Sequence, residues 1–344
     1  MLETRFKDRE FLSRYHLDIK LLNNYDFQVK DIIPVRKVYI LETNKGNKVL
    51  KKLDYSFHRL SFIDSSMEYM KKNDFKEVIS FERNKNGDIY TQWRESTYVV
   101  MDLVDGRECE FNNPIEVSLA VKVLAKMHLS SRGFDTGQWE GYSEVGKAIE
   151  KCEKNLGELD YFKKLALTFE NKSSFDEIFL NYIDKFISHM AKGISILKRS
   201  QYHELCSEED KISLCHHDLA YHNILVYNEE IRFIDFDYAA IDLRISDVCN
   251  LINKVTKGFA YDFEKMKDIL EEYNKVTPID SRELMVLYGM LWIPVGFHSL
   301  VKDYYLKRKL WSEESFVYKL KNKVENLTEK EDMLMNFKSY YKIS

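Results

Sequence analysis

LCHHDLAYHNIL, residues 214–225, and FIDFD, residues 233–237, form the most specific pattern in this chain of 344 residues. Apolar residues flank each polar cluster, so we expect the carboxylates to lie at strand ends. Asp218, Asn223 five residues later and Asp235 after a predicted hairpin supply two carboxylates and an amide. Phosphoryl transfer needs a carboxylate near the acceptor hydroxyl and oxygen ligands that hold Mg²⁺ against the phosphates. The spacing therefore predicts a nucleotide-dependent phosphotransferase site.

The histidines of the same segment offer a different reading, a metal centre of a hydrolase. His216, His217, Asp218 and His222 are all residue types that bind transition metals. Adjacent His216 and His217 would point in opposite directions on an extended backbone, which makes a shared ion awkward. We instead predict that His216 hydrogen-bonds the backbone around the loop.

A phosphotransferase also needs a cation on the phosphates, and VLKKL at residues 49–53 offers two lysines. Strand alternation places Val49, Lys51 and Leu53 on one face, so we choose Lys51 and expect Lys52 to be solvated. An acid on the next helix would hold Lys51. Asp64 and Glu68 are both candidates, and the sequence does not decide between them.

Two further segments are expected to support the site. The strand that ends at Leu103 leads into a connector, where we predict that Met101 and Leu103 present backbone N–H and C=O groups to adenine. Arg244 and Asp247 stand three residues apart at a predicted helix start. We interpret them as an ion pair or cap that supports the loop.

The hydrophobic pattern changes from strand-like to helical along the chain. Strands are predicted at 27–33, 35–42, 48–53, 76–81, 88–93 and 97–103, and short apolar runs return within 211–239. Helices are predicted from Leu60 to about Asn73 and at 115–130, 147–168, 174–199, 245–256, 263–276, 282–301 and 313–337. This layout is typical of an α+β, bilobal protein-kinase-like fold. We predict a β-rich, nucleotide-binding N-lobe at 1–103 and a mainly helical C-lobe at 104–344, with the catalytic loop and the acceptor pocket.

Composition argues against several other classes. The 52 Lys and Arg and 56 Asp and Glu give a net charge of −4, with mixed signs and no basic block of the kind that binds nucleic acid. The five cysteines form no CxxC pair, which is typical of reduced cytosolic thiols. Residues 284–301 are uncharged, but they contain a proline and no second such stretch exists, so we predict a buried core helix. Residues 1–10 carry no apolar core and predict no secretory signal.

With these residues in hand, the chain resembles the aminoglycoside phosphotransferase/choline kinase superfamily and, within it, the CotS-type spore coat proteins. The broader resemblance rests on residues 216–225, residues 234–237 and Lys51. The narrower one rests on DGRECEF at residues 105–111 and AYHN at residues 220–223.

The resemblance implies a role for each residue of the predicted site. Asp218 would be the catalytic base, Asn223 and Asp235 the Mg²⁺ ligands, and Lys51 the clamp on the phosphates of ATP. It also implies synthesis in the cytoplasm of the sporulating mother cell, followed by deposition in the spore coat.

Two functions stay open at this point. One is ATP- and Mg²⁺-dependent transfer to a hydroxyl of an unidentified small molecule. The other is a kinase-fold scaffold that binds other spore coat proteins. IPVRKV at residues 33–38, the expected phosphate loop, has no glycine, and His217 stands where superfamily members usually have glycine. An acidic run at residues 204–210 would attract a cationic acceptor or form a solvated loop, and neither function requires nucleic acid or a membrane.

Overall fold

The computed structural model describes residues 17–35 and 38–343. Predictions for residues 1–10 and for residues 36 and 37 of the expected phosphate loop lie outside the described residues. The chain divides into two compact units. The first unit extends to Cys109 and also contains His222–Asp237, and the second contains Glu110–Tyr221 and the residues from Tyr238 onward. The predicted domain limit at residue 103 stays a prediction.

The strands of the described residues fall into two stretches of the chain, residues 29–108 and 212–243. They are β1 (Val29–Val35), β2 (Val38–Thr43), β3 (Gly46–Leu53), β4 (Thr91–Trp93), β5 (Ser96–Asp102), β6 (Arg107–Glu108), β7 (Ile212–Cys215), β8 (Ile224–Tyr227), β9 (Glu230–Phe233) and β10 (Ala240–Leu243). The helices are α1 (Phe57–Lys72), α2 (Pro114–Ser130), α3 (Ala148–Thr168), α4 (Ser174–Arg199), α5 (Tyr202–Leu205), α6 (Ile245–Lys257), α7 (Phe263–Val276), α8 (Ser281–Trp292), α9 (Val295–Tyr305), α10 (Glu313–Val324) and α11 (Leu327–Tyr340).

The first unit is built on a five-stranded antiparallel sheet in the order β1-β2-β3-β5-β4. Its two faces are covered by different apolar clusters, because side chains alternate along each strand. Leu50 of β3 packs with Leu41 and Val100 on one face. Leu53 packs with Leu60 of α1 and Val99 on the other. The single predicted helix is confirmed, and it ends at Asn73 as expected.

The strands predicted at 76–81 and 88–93 were largely wrong. The first forms only an isolated bridge between Phe81 and Met101, and the second is reduced to β4. Asn84 explains part of the difference. Its side-chain oxygen accepts the N–H groups of Asn86 and Asp88 at 2.9 and 3.0 Å, which closes a turn where a longer strand would have to run.

A second sheet of the first unit joins β6, β8 and β9 in that order. The β8–β9 hairpin follows in sequence more than 100 residues after β6, yet it pairs with β6 through Arg107↔Val226 and Glu108↔Leu225. Gly106 precedes β6 with φ +154°, and a Cβ there would lie 3.0 Å from the carbonyl oxygen of Val226. The close approach of the two backbones therefore requires glycine at this position.

The second unit is mainly helical, with one two-stranded sheet of β7 and β10. The helices predicted at 174–199 and 263–276 are confirmed to the residue. Two long predictions were wrong, because each is split in two. Pro294 separates α8 from α9, because proline lacks the N–H that would continue the helix. Asn326 separates α10 from α11 in a left-handed conformation with φ +58°.

The uncharged segment predicted as one core helix comprises α8 and α9. Ser281–Tyr305 is the one segment of the described residues that is long and apolar enough to cross a membrane, and 67% of its most apolar window is buried inside the protein. Gly193 of α4 faces α8 so closely that a Cβ would lie 2.8 Å from the carbonyl oxygen of Gly289. The five cysteines are all free, as predicted.

Candidate active site

Lys51 lies in the middle of β3, between Val38 of β2 and Val99 of β5. Its ammonium nitrogen lies 2.7 Å from Oδ1 of Asp235 and 2.7 Å from Oδ2 of Asp237. Lys52 is exposed, so the prediction that the two lysines lie on opposite faces of the strand is confirmed. The structure thus joins Lys51 to one of the predicted acids and to one acid that was not predicted.

Asp237 is the residue that sequence reasoning missed in this group. Its second carboxylate oxygen accepts the Tyr55 hydroxyl at 3.2 Å, and its backbone carbonyl accepts Arg59 at 2.8 Å. Burial alone would lower the pKa of Lys51, but the nearby carboxylates of Asp237 and Asp235 outweigh it and raise the pKa above its ordinary value. Lys51 therefore stays a cation. The second acid of FIDFD was the available signal for Asp237.

Neither candidate acid on α1 reaches Lys51. Glu68 binds Lys71 one turn further along the helix at 2.9 Å, and Asp64 lies 3.8 Å from Arg83. Both acids on α1 therefore lie beside cations other than Lys51. The expected pairing of Lys51 with Asp64 or Glu68 is replaced by its contacts with Asp235 and Asp237.

The β8–β9 hairpin places Asn223 and Asp235 at its open end. Ile224 pairs with Phe233, and the N–H of Ile234 donates to the carbonyl of Asn223 at 3.0 Å, so the residues that flank the hairpin are neighbours. Asn223 is buried, whereas 41% of the Asp235 side chain is exposed. Carboxylate and amide oxygens are hard donors of the type that Mg²⁺ prefers. The donor set at the end of this hairpin therefore fits a magnesium ion.

The connector after β5 was predicted to contact adenine through Met101 and Leu103. Met101 pairs with Val49 in the sheet, and its side chain packs against the cluster that contains Leu53. The N–H of Leu103 donates to the carbonyl of Asn47 at 3.0 Å, which extends the β3–β5 ladder. Leu103 can therefore offer its carbonyl, but not its N–H, to a base.

Asp218 belongs to the second unit, in the loop that follows β7. One carboxylate oxygen lies 3.1 Å from the ammonium nitrogen of Lys254 on α6. The N–H of Asp218 donates to Nδ1 of His216 at 3.3 Å, which confirms the predicted bond between His216 and the loop backbone. Sequence reasoning missed Lys254, which lies 36 residues after Asp218 in an ordinary amphipathic helix.

The loop around Asp218 is held from α6 by two side chains. Asp247 accepts the backbone N–H of His216 at 2.5 Å and that of His217 at 2.8 Å. Asn250, one turn later, accepts the N–H of Leu219 and donates to the carbonyl of His217. The burial of Asp247 would raise its pKa, but the hydrogen bond with His128 and the electrostatic influence of the neighbouring histidines lower it to about 2. Asp247 supports the loop as predicted.

Arg244 does not pair with Asp247. Its Nε and Nη2 donate to the two carboxylate oxygens of Glu283 on α8, each at 2.7 Å. Nη1 donates to the Thr277 hydroxyl, and Nη2 also donates to the carbonyl of Pro278. Arg244 thus fixes the start of α6 to α8, whereas Asp247 fixes α6 to the loop. The predicted ion pair between the two was wrong because each has a partner distant in sequence.

His217 has φ +63°, in the left-handed region where glycine is favoured. This backbone conformation accounts for the glycine that the superfamily resemblance led us to expect at this position. The imidazole Nε2 of His217 lies 3.5 Å from Oδ2 of Asp242. Asp235 has the same kind of backbone, with φ +65°, which aspartate tolerates better than most residues.

The metal centre considered for the loop histidines does not form from them. Within the described residues, the one group of histidine, cysteine and acidic side chains close enough for a metal is His128, Cys215 and Asp247, all buried. The imidazole of His128 already bonds Tyr273 at 2.7 Å and Asp247 at 3.3 Å. Because Asp247 also receives two loop amides, the group is an internal hydrogen-bond network that orders the loop.

Comparison with known proteins agrees with this geometry. Residues 19–337 match a family model described as "Spore coat putative kinase YutH". Spore coat protein S of Bacillus subtilis strain 168 is 24% identical over 337 residues, which cover 94% of each chain.

Solved structures extend the comparison to the fold. An aminoglycoside phosphotransferase of Alicyclobacillus acidocaldarius superposes with a TM-score of 0.81 at 17% identity, over 95% of this chain and 96% of that one. A spectinomycin phosphotransferase in complex with ADP and spectinomycin superposes with a TM-score of 0.68 at 16% identity, over 93% and 97% of the chains. The predicted α+β, bilobal protein-kinase-like fold is confirmed. The chain belongs to the family of kinase-like spore coat proteins whose family model matches residues 19–337.

Proposed function

We propose that the protein is an ATP- and Mg²⁺-dependent phosphotransferase that acts on a hydroxyl of a small molecule. The observation that carries this proposal is the group around Lys51. A cation on the central sheet lies 2.7 Å from the carboxylate of Asp235, and Asn223 flanks the same end of the hairpin. A scaffold without chemistry has no need to keep a cation and hard oxygen donors together.

Within this proposal, Lys51 binds the phosphates of ATP, and Asn223 and Asp235 hold Mg²⁺. The bound ion would neutralise charge on the phosphates, which is the main requirement of phosphoryl transfer. Asp237 has a different task. Because it also binds Tyr55 and Arg59, it keeps the Lys51 side chain extended toward the hairpin when Asp235 serves the metal.

Asp218 would receive the proton of the acceptor hydroxyl. Its loop is fixed by Asp247 and Asn250, so the carboxylate is held on an ordered backbone before substrate binds. Lys254 orients the carboxylate through its contact at 3.1 Å. The adenine would meet the connector near Met101 and the carbonyl of Leu103, and Glu68 has no role because Lys71 binds it.

Family membership supports a place in the spore coat. We propose synthesis in the mother-cell cytoplasm, deposition in the coat and contact with other coat proteins. The ADP complex of the spectinomycin enzyme supports nucleotide binding by the shared fold. Coat deposition and phosphotransfer are compatible, and a purely structural coat component is the alternative that the following experiment separates.

The test combines nucleotide binding with turnover in the full chain. Thermal unfolding with and without millimolar MgATP is expected to show stabilisation of the wild type and its loss in Asp235→Asn, which keeps a residue that tolerates positive φ. Asp218→Asn should retain nucleotide stabilisation but lose phosphate transfer to a panel of alcohols by about 10²–10⁴-fold. Asp184→Asn, an exposed aspartate on α4, is the matched control. A folded wild type that MgATP does not stabilise would overturn the enzyme in favour of the scaffold.

A further inference from the structure

Five lysines of the second unit lie on three helices, and one of them, Lys254, contacts Asp218. We call them the lysine cluster: Lys254, Lys257, Lys319, Lys323 and Lys330. Lys254 and Lys257 are three residues apart on α6, and Lys319 and Lys323 are four apart on α10, so each pair shares a helix face. Lys330 lies on the first turn of α11. Three helices thus contribute these cations, and α6 ends more than 50 residues before α10 begins.

Lys323 is at the centre of the cluster. Its ammonium nitrogen lies against the backbone of Gly296 in α9, where a Cβ would collide with it. Burial and repulsion from the other four lysines lower the pKa of Lys323 to about 8. The other four ammonium groups are therefore close enough to Lys323 to repel its charge.

Lys330 is nearly removed from solvent, with 9% of its surface exposed. Its ammonium lies 5.6 Å from the centre of the Tyr261 ring. Burial lowers the pKa of this side chain as well, to about 8. A buried cation without a carboxylate partner is unfavourable, and either loss of its proton or an anion from outside the chain would relieve this cost.

Carboxylates neutralise little of the cluster, although that of Glu325 favours the charged form of Lys257. Within residues 17–35 and 38–343, the one ion pair formed by these lysines is that of Lys254 with Asp218. In the acidic run at residues 204–210, by contrast, two acids have basic partners. Glu208 of the acidic run binds Arg282 at 2.5 and 2.9 Å, and Asp210 lies 3.5 Å from Lys211. Two of the four acids in the run are therefore paired within the protein, which reduces the negative charge left to attract a cationic acceptor.

We propose that the lysine cluster binds the anionic group of the phosphate acceptor, so that the acceptor is an acidic hydroxyl compound bearing a phosphate or carboxylate. This inference rests on the proposed function, since Asp218 defines where the hydroxyl must lie. Lys254 connects Asp218 to the lysine cluster, because it contacts Asp218 and shares a helix face with Lys257. Desolvated ammonium groups form strong charge-assisted bonds with such anions.

The test first measures binding without nucleotide, by titration calorimetry on the full chain. The probes are glycerol 3-phosphate, glycerate, glycerol and ethanolamine, which share a hydroxyl and differ in charge. We expect the wild type to bind one or both acids and neither glycerol nor ethanolamine. Whichever of the two acids binds more tightly shows whether the site prefers a phosphate or a carboxylate.

The variant is Lys319→Gln with Lys323→Gln, and the control is Lys126→Gln with Lys154→Gln, which removes two exposed charges from α2 and α3. The cluster variant is expected to weaken binding of the acid at least 10-fold and to unfold at or above the wild-type temperature, because repulsion is relieved. Equal binding by the cluster and control variants, or tighter binding of ethanolamine or of a single-stranded oligonucleotide, would overturn the proposal.

Turnover then separates this inference from the function on which it rests. With MgATP, the acid that binds should accept phosphate, and the cluster variant should raise its KM, whereas the control variant should leave that KM unchanged. Lysine-dependent binding without any transfer, in a chain that MgATP does not stabilise, would overturn the phosphotransferase and the acceptor role together. Transfer to glycerol or ethanolamine, but to neither acid, would overturn the lysine cluster alone.

Discussion

The carboxylate of Asp247 accepts the backbone N–H of His217 at 2.8 Å, although thirty residues separate the two. The same carboxylate accepts the N–H of His216, so one buried side chain holds two successive amides. His217 has a left-handed backbone, which the loop would not adopt without such support. The loop that carries Asp218 is thus shaped by the first turn of α6.

Asp247→Asn should destabilise the protein by about 2–4 kcal/mol. Asparagine offers one oxygen and turns an NH₂ group toward the second amide, which leaves a buried N–H without an acceptor. Urea unfolding at pH 7 measures the loss, and the exposed Asp184→Asn serves as the control, with an expected change below about 1 kcal/mol. Equal midpoints for the two variants would contradict the role of Asp247.

Acid should weaken the protein in part through His128. Burial lowers the pKa of His128, so the folded state favours the neutral imidazole. Its contribution to stability is full above the ordinary pKa of about 6.5 and is lost as the pH falls through the lower folded value. His128→Gln can still bond Tyr273 and Asp247 but does not titrate.

The free energy of unfolding, measured between pH 5 and 7.5, should therefore fall more steeply toward acid in the wild type than in His128→Gln. The pKa values of His189 and His298 are also lowered by burial, but both residues are present in both proteins and cancel in the difference. Asp247, with a pKa of about 2, stays ionised throughout this range. Parallel curves would show that His128 does not titrate on unfolding.

Lys51 should couple more strongly to Asp237 than to Asp235, although both contacts are 2.7 Å long. The Asp237 side chain is 27% exposed and the Asp235 side chain 41%, and solvent screens the more exposed pair. A double-mutant cycle with Lys51→Met and Asp237→Asn should give about 1–3 kcal/mol of coupling in unfolding experiments without nucleotide. The matching cycle with Asp235→Asn should give less, and the reverse order would refute the argument.

Two helical glycines should respond to alanine in opposite directions. Gly193→Ala forces a Cβ to within 2.8 Å of the Gly289 carbonyl, so we expect a loss of about 1–3 kcal/mol. Gly157→Ala in α3 meets nothing within 4 Å and should stabilise by about 0.5–1 kcal/mol through helix propensity. Calorimetric unfolding of both variants checks the pair. A stabilised Gly193→Ala would show that α4 and α8 can separate without loss.

Local patterns predicted much of the fold because they reflect local physics. Strand alternation placed Lys51 and Lys52 on opposite faces, and the helical period located α1, α4 and α7 within a few residues. Pro294 is a signal in the sequence for the break between two helices. Asn326 is a weaker signal, because asparagine also occurs within helices. The strand predicted at 76–81 does not form, because a loop, rather than a strand, carries the apolar side chains of this segment into the protein interior.

The sequence by itself identified the residues that we propose for phosphoryl transfer, Asp218, Asn223 and Asp235, because that chemistry demands few residue types at short spacings. Only the tertiary structure decided which partners they meet. Asp237 rather than Glu68 joins Asp235 at Lys51, and Lys254 binds Asp218. The lysine cluster arises in the same way, from three helices whose order along the chain gives no sign that their cations meet. Contacts of this kind depend on how apolar faces pack, and packing is a property of the whole chain that no short segment encodes.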